Sequence, residues 1–175
     1  MTKNTKLLLY FLILLYLCIG FYLSITTGIT SDESFEQLNW DKNTSGIKSL
    51  FSFGHYDEFL RYLDKYHGIA FHYISQPIQF LISNFVSDLN EVSNFGGHLM
   101  SKHSIVFFVF FISGIYFYKL INKVVKSSFF SILSTSLYLV YPYLFGHSLF
   151  NMKDIPFLSI WLITTFYFLD IIEDI

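Results

Sequence analysis

The sequence predicts an all-α integral membrane protein, with about four transmembrane helices and two amphipathic surface helices in a long first outer loop. Hydrophobic residues make up 53% of its 175 residues and charged residues only 14%, against about 25% charged in an ordinary soluble domain. The apolar residues also cluster in long runs, as spanning helices require, because lipid cannot satisfy exposed backbone polar groups. The formal net charge is −2 and no large basic patch exists, so no nucleic-acid partner is expected.

Four apolar runs predict the four spans, at residues 7–27, 104–121, 127–141 and 156–172. The first run is longer than the ~7–15 apolar residues of a signal peptide, and no small-residue cleavage site follows it, so we interpret it as an uncleaved anchor. The third run is short, and it reaches membrane length only if residues 142–149 lie at the interface.

Lysines predict how the chain is oriented. One group, Lys3 and Lys6, precedes the first span. The other group lies at the connection between the second span and the third, and it comprises Lys119, Lys123 and Lys126. The positive-inside rule assigns both groups to the cytoplasm. The N-terminus is therefore expected in the cytoplasm and the long loop, residues 28–103, outside it, with a bacterial inner membrane as the expected location.

The outer loop contains two segments with apolar residues at helical spacing, 52–66 and 71–86, which predict amphipathic helices on the membrane surface. Residues 39–45 are rich in Asn and Asp and predict a turn. Asp57-Glu58 is expected on a solvated helix face, and a second turn is expected at residues 66–68. No internal repeat or second domain is evident, so residues 1–175 form one predicted module.

An acidic pair, Asp32-Glu33, directly follows the first span. Carboxylates at the membrane surface can act on a head group that a lipid presents there, for example by deprotonating or orienting an acceptor group. Alternatively, they form the negative first turn of a helix whose N-cap is Ser31, where the helix dipole stabilises them. The local sequence favours this second interpretation.

A second polar group lies between the third and fourth apolar runs. A lysine can bind a phosphate as a point charge, and an aspartate can hold a divalent cation or an acceptor hydroxyl. Alternatively, Asp154 is a helix N-cap followed by Pro156 in the first turn, and both roles are compatible. The polar residues of this group are His147, Asn151, Lys153 and Asp154.

The first span leading into Asp32-Glu33, followed by an outer loop with two surface helices, resembles the N-terminal part of the GT-C glycosyltransferases. Residues 142–156, Pro-Tyr-Leu-Phe-Gly-His-Ser-Leu-Phe-Asn-Met-Lys-Asp-Ile-Pro, are similar to a Pro…Gly-His…Asn-x-Lys-Asp-x-Pro pattern. That pattern occurs in bacterial members of the branch that contains protein O-mannosyltransferases and aminoarabinose transferases. Residues 66–71 resemble the Tyr-Gly turn of their first outer loop.

This resemblance implies an inverting membrane transferase, which moves a sugar from a polyprenyl-phosphate-linked donor to an extracytoplasmic acceptor. It implies that Asp32 is the catalytic aspartate, with Glu33 beside it. It also implies a divalent cation at Asp154 as the candidate cofactor. The implied donor phosphate site comprises His147, Asn151, Lys153 and Asp154.

Members of that family have many more spans than this chain, which covers only the opening portion of their fold. We therefore expect a fragment, a truncated gene product, or one half of a split enzyme whose other chain carries the remaining spans. The alternative is a non-catalytic membrane scaffold or assembly subunit, in which each acidic residue only caps a helix. A small transporter is less favoured, because its polar residues would lie in mid-span.

Overall fold

Every regular element of the chain, in the part that the structure describes, is an α-helix, as the sequence predicts. The structure is a computed structural model that describes residues 3–55, 60–63, 65 and 69–173. Its main helices are α1 Lys3–Thr26, α2 Glu33–Phe53, α3 Ala70–Asn90, α4 Asn94–Ser101, α5 His103–Val125, α6 Ser128–Val140, α7 Pro142–Ser148 and α8 Asp154–Glu173.

Three to four helical stretches are long and apolar enough to cross a bilayer, which confirms the predicted membrane class. Three of these stretches qualify alone. They are α1 (Lys3–Thr26), the stretch Asn94–Val125 that comprises α4 and α5, and α8 (Asp154–Glu173). The helix α6 rises only about 20 Å at 1.5 Å per residue, against about 30 Å of hydrocarbon. It therefore qualifies only together with α7, and the two are bent by 59°. The bend lies at Tyr141, whose ψ of 118° is extended, because the following Pro142 disfavours a helical conformation there.

The turn predicted at residues 39–45 is wrong, because these residues lie within α2. Their polar side chains bond back to carbonyls of the preceding turn instead of breaking the helix. Asn43 Nδ2 donates to the Asn39 carbonyl at 2.8 Å, and Thr44 Oγ1 donates to the Trp40 carbonyl at 3.0 Å. Composition alone therefore predicted a turn where the side chains are compatible with a helix.

The two predicted surface helices have different outcomes. The segment 71–86 is confirmed, as α3. Of the segment 52–66, the first two residues end α2 at Phe53, and Gly54 follows in the left-handed conformation with φ of 73°. Leu60 and Arg61, further along the segment, are helical. Most of the rest of that segment lies outside the described residues, as do Asp57-Glu58 and the turn predicted at residues 66–68.

The chain divides into two compact units, of which one comprises Met1–Thr27 with Lys102–Ile175. In this unit α5 is the central helix, and it packs against α1, α6, α7 and α8. The side chains of Phe107 and Phe110 are fully buried there. A Cβ placed on Gly20 would lie 1.9 Å from the Phe107 ring, so glycine allows α1 to approach α5 closely.

An ion pair joins the C-terminal ends of α5 and α8. Lys123 Nζ lies 2.8 Å from Asp170 Oδ1 and 3.0 Å from Glu173 Oε2. The two helices therefore run in the same direction, since their C-terminal ends meet. The segment between them, which holds α6 and α7, must return the chain to the side from which α5 starts.

The other unit comprises Gly28–Ser101 and contains α2, α3 and α4. In its helix α3, the polar side chains are buried and the large apolar side chains are exposed, the reverse of the pattern in a water-soluble domain. His72, Ser75 and Gln79 are buried, whereas Phe80 and Leu81 are 82% and 77% exposed. A water-soluble domain would bury the apolar face, so this arrangement suits a helix whose outer face contacts lipid.

Candidate functional site

The turn between α7 and α8 is organised by Asn151. Its side-chain Oδ1 accepts hydrogen bonds from the backbone N–H groups of Lys153 at 3.1 Å and Asp154 at 2.8 Å. Asparagine suits this position because its short side chain can accept hydrogen bonds from the otherwise unpaired N–H groups at a helix start. The prediction that Asp154 caps α8 is therefore wrong, since Asp154 is the first helical residue and Asn151 supplies the capping oxygen. Pro156 does lie in the first turn, as predicted.

The same amide joins two further residues of the predicted donor site. Asn151 Nδ2 lies 2.9 Å from Asp154 Oδ2 and 3.1 Å from His147 Nδ1. The structure thus brings His147, Asn151 and Asp154 into one hydrogen-bonded cluster, which we call the Asn151 cluster. Lys153 is exposed and lies between two members of the cluster in the chain.

Aromatic rings contact the imidazole of His147 and restrict its orientation. The ring centroids of Tyr143 and His147 are 4.3 Å apart, and those of His147 and Phe150 are 5.4 Å apart. Neither aromatic residue is among the site residues predicted from the sequence, although they lie four residues before and three residues after the histidine. That is the spacing at which side chains meet on one face of a helix.

Asp154 combines fixed geometry with access from solvent. Its side chain is exposed, and Oδ2 is held by Asn151. Its other oxygen, Oδ1, accepts no hydrogen bond from any residue that the structure describes. The carboxylate also lies at the positive end of the α8 dipole, where a negative charge is stabilised.

Within the described residues, Asp154 is not part of a cluster of metal-ligating side chains. In the described part of the chain, no three side chains of His, Cys, Asp or Glu come together as metal ligands. Mg²⁺ is commonly held by one or two carboxylates together with substrate phosphates and water. The exposed Asp154 carboxylate fits that mode, in which a phosphate donor would complete the coordination.

The pair Asp32-Glu33 lies in the unit formed by Gly28–Ser101. Glu33 is only 1% exposed, and its Oε1 accepts hydrogen bonds from Thr30 N and Thr30 Oγ1, both at 3.0 Å. The spacing Thr30-x-x-Glu33 is the capping-box pattern, in which the glutamate reaches back to the N–H three residues earlier. The predicted N-cap at Ser31 is therefore wrong, because Asp32 is the residue that directly precedes α2, and the Thr30-x-x-Glu33 spacing is the signal that would have predicted the bonds from Thr30 to Glu33.

Asp32 differs from its neighbour because it is exposed. It directly precedes α2, and the Ser31 hydroxyl lies 3.4 Å from its Oδ1. Of the two carboxylates, Asp32 is thus the one accessible from solvent, while Glu33 stabilises the helix start.

Comparisons with known proteins find no matching family model, no matching curated protein and no matching solved structure. The resemblance to the GT-C transferases therefore rests on the sequence motifs quoted above alone.

Proposed function

We propose that the chain is a module of a GT-C-type membrane glycosyltransferase, which transfers a sugar from a polyprenyl-phosphate-linked donor to an extracytoplasmic acceptor. The observation that carries this proposal is the Asn151 cluster at the start of α8. It joins a histidine, an asparagine and an exposed aspartate where a helix long enough to span the membrane begins. The phosphate of a lipid-linked donor lies at a similar depth, at the membrane surface.

The donor side of the reaction requires the leaving phosphate to be stabilised. Lys153 is exposed beside the cluster and supplies a positive charge to the phosphate oxygens. The N-terminus of α8 adds the favourable end of its dipole. A divalent cation at Asp154, when bound, would further neutralise the charge that develops on the leaving group.

The acceptor side requires a base. In the proposed reaction an acceptor oxygen forms a bond to the anomeric carbon, and the bond from that carbon to the phosphate oxygen breaks. The exposed Asp32 carboxylate takes the proton from the acceptor. Polyprenyl phosphate leaves with the electron pair, and Glu33 contributes by fixing the backbone next to Asp32.

The proposed orientation has the N-terminus in the cytoplasm and the Asn151 cluster outside it. The lysine distribution supports this orientation through the positive-inside rule. The parallel arrangement of α5 and α8 agrees with it, because it requires α6 and α7 to return the chain across the membrane. The proposed partners are the bilayer, the sugar lipid, and a separate chain that carries further spans of the enzyme.

The second candidate is a non-catalytic scaffold or assembly subunit. A specific observation favours it, since Glu33 and Asn151 both have complete structural roles at helix starts. In that case Asp32 and Asp154 would be replaceable without loss of any chemical activity.

Transfer activity separates the two candidates. Membranes from cells that make the chain in its natural genomic context would be supplied with radiolabelled polyprenyl-phosphate sugars. We expect Asp154→Asn and Asp32→Asn each to lower transfer by about 10²-fold or more at unchanged abundance, because each removes a carboxylate that acts in the transition state. Asp88→Asn, on the exposed face of α3, is the matched control and should leave transfer unchanged. Unaltered transfer in both test variants would exclude the proposed site.

A further inference from the structure

We propose that Asn151 is a positioning residue that holds neutral His147 in the tautomer with its proton on Nε2. His147 then presents an uncharged N–H donor to an anionic oxygen of a ligand. The identity of that oxygen as a donor phosphate rests on the proposed function. The tautomer itself follows from the hydrogen bonds of the cluster alone.

The hydrogen-bond partners of the Asn151 amide determine its orientation. Amide oxygen and nitrogen atoms are often hard to tell apart, so their assignment must come from their hydrogen-bond partners. Here two backbone N–H groups, of Lys153 and Asp154, point at one amide atom from 3.1 and 2.8 Å. A backbone N–H group can only donate, so this atom is the oxygen Oδ1.

The oriented amide determines which nitrogen of the His147 ring carries the proton. With Oδ1 fixed, the atom that faces His147 Nδ1 at 3.1 Å is the amide nitrogen, which can only donate. Nδ1 must then accept the bond with its lone pair and carry no proton. A neutral imidazole has one N–H, which is therefore on Nε2.

The amide nitrogen of Asn151 carries a second hydrogen, which it donates to Asp154. The distance from Asn151 Nδ2 to the accepting carboxylate oxygen, Oδ2, is 2.9 Å. Both hydrogens of Nδ2 and the oxygen Oδ1 are thus engaged, so the amide cannot rotate without losing several bonds at once. The contacts of Tyr143 and Phe150 with the ring hold the imidazole itself.

The consequence is a preorganised hydrogen-bond donor, the Nε2–H group of His147, which Asn151 links to the start of α8. A fixed N–H group stabilises developing negative charge without reorganising during the reaction. It complements the positive charge of Lys153, which lies two residues after Asn151. The role of Asn151 is thus indirect, in contrast to the direct phosphate contact that the sequence pattern implies.

Nitrogen NMR tests the tautomer directly. The full chain, labelled with ¹⁵N-histidine, would be reconstituted in lipid nanodiscs near neutral pH, and the His147→Gln variant would identify the His147 signals. We expect the shift of an unprotonated nitrogen at Nδ1 and of a protonated nitrogen at Nε2. A proton on Nδ1, or an even mixture of tautomers, would overturn the inference.

The variant Asn151→Asp provides the second measurement. An aspartate keeps an oxygen for the two backbone N–H groups but replaces the amide donor with an acceptor. We expect the proton of His147 to move to Nδ1, or both nitrogens to be protonated, whereas an unchanged spectrum would refute the role of Asn151. If this variant does not fold, the wild-type spectrum decides alone.

The NMR result does not depend on transfer activity, so the two proposals can fail separately. An Nε2-protonated ring in a chain without transfer activity would leave this inference standing and remove the proposed function. Conversely, transfer that depends on Asp154 in a chain with an Nδ1-protonated ring would remove this inference alone.

Discussion

Glu33 and Asp154 show how similar acidic residues at two helix starts acquire different roles. The Glu33 carboxylate is buried and bonded twice to Thr30, so its contribution is to the stability of the α2 start. The Asp154 carboxylate is exposed and held through only one of its oxygens. Burial and hydrogen bonding, rather than residue type, therefore distinguish a helix cap from a candidate catalytic group.

Substitution of Glu33 tests this assignment. We expect Glu33→Ala to lower the free energy of unfolding by about 1–3 kcal/mol, because it removes the acceptor of two hydrogen bonds at a helix start. Glu33→Gln retains an acceptor oxygen and should lose less. Thermal unfolding in detergent, followed by circular dichroism, measures both. Equal stability of Glu33→Ala and the unaltered chain would contradict the capping role.

The members of the Asn151 cluster could be predicted from the sequence, but their individual roles could not. His147, Asn151 and Asp154 follow each other at spacings of four and three residues across the short turn from α7 to α8, so their side chains lie close together. Which residue supplies the cap depends on backbone geometry that the spacing does not fix. Asp154 and Asn151 are both favourable caps, and only the hydrogen bonds identify Asn151.

Helix packing in the membrane unit depends on the close approach of α1 to α5. We expect Gly20→Ala to destabilise the protein by about 1–3 kcal/mol, because the added methyl group must displace the buried Phe107 ring. Gly146→Ala is the matched control, since no atom lies within 4 Å of a Cβ built there. Its effect should be small or stabilising, since alanine favours helix more than glycine does. Thermal unfolding of the two variants in one detergent compares them, and equal losses would refute this contact.

The apolar face of α3 provides an element-scale test of membrane contact. A fluorophore on Phe80→Cys, in a Cys18→Ser background, should be quenched by nitroxide-labelled lipids, because Phe80 is 82% exposed on the apolar face. The same label on Lys42→Cys, an exposed position on the polar helix α2, should be quenched less. Equal, weak quenching at both positions would show that this face does not insert into lipid.

The sequence predicts those helices that are marked by runs or helical spacing of apolar residues. The spans and α3 follow from runs and spacing of apolar residues. The helix α2 was missed over residues 39–45, because turn-forming residue types there bond back along the helix. Likewise, the bend at Tyr141 comes from one proline, whose effect on helix direction a hydropathy profile does not contain.

At the scale of the whole molecule, the chain is an integral membrane protein with three or four apolar helices. The proposed orientation would place the Asn151 cluster at the outer surface, where a polyprenyl phosphate presents its head group. The central claim is that the protein binds this lipid phosphate next to Lys153 and Asp154.

Photo-crosslinking of the lipid donor tests that claim most directly. A polyprenyl-phosphate sugar with a photoreactive group close to the phosphate would be added to the protein in its native membranes, and the adducts would be mapped by mass spectrometry. We predict adducts in residues 147–154, which an excess of unlabelled donor removes and which Lys153→Glu weakens about tenfold. Adducts spread over the exposed apolar face of α8 around Phe157, Trp161 and Phe168, insensitive to competitor and to Lys153→Glu, would contradict the account.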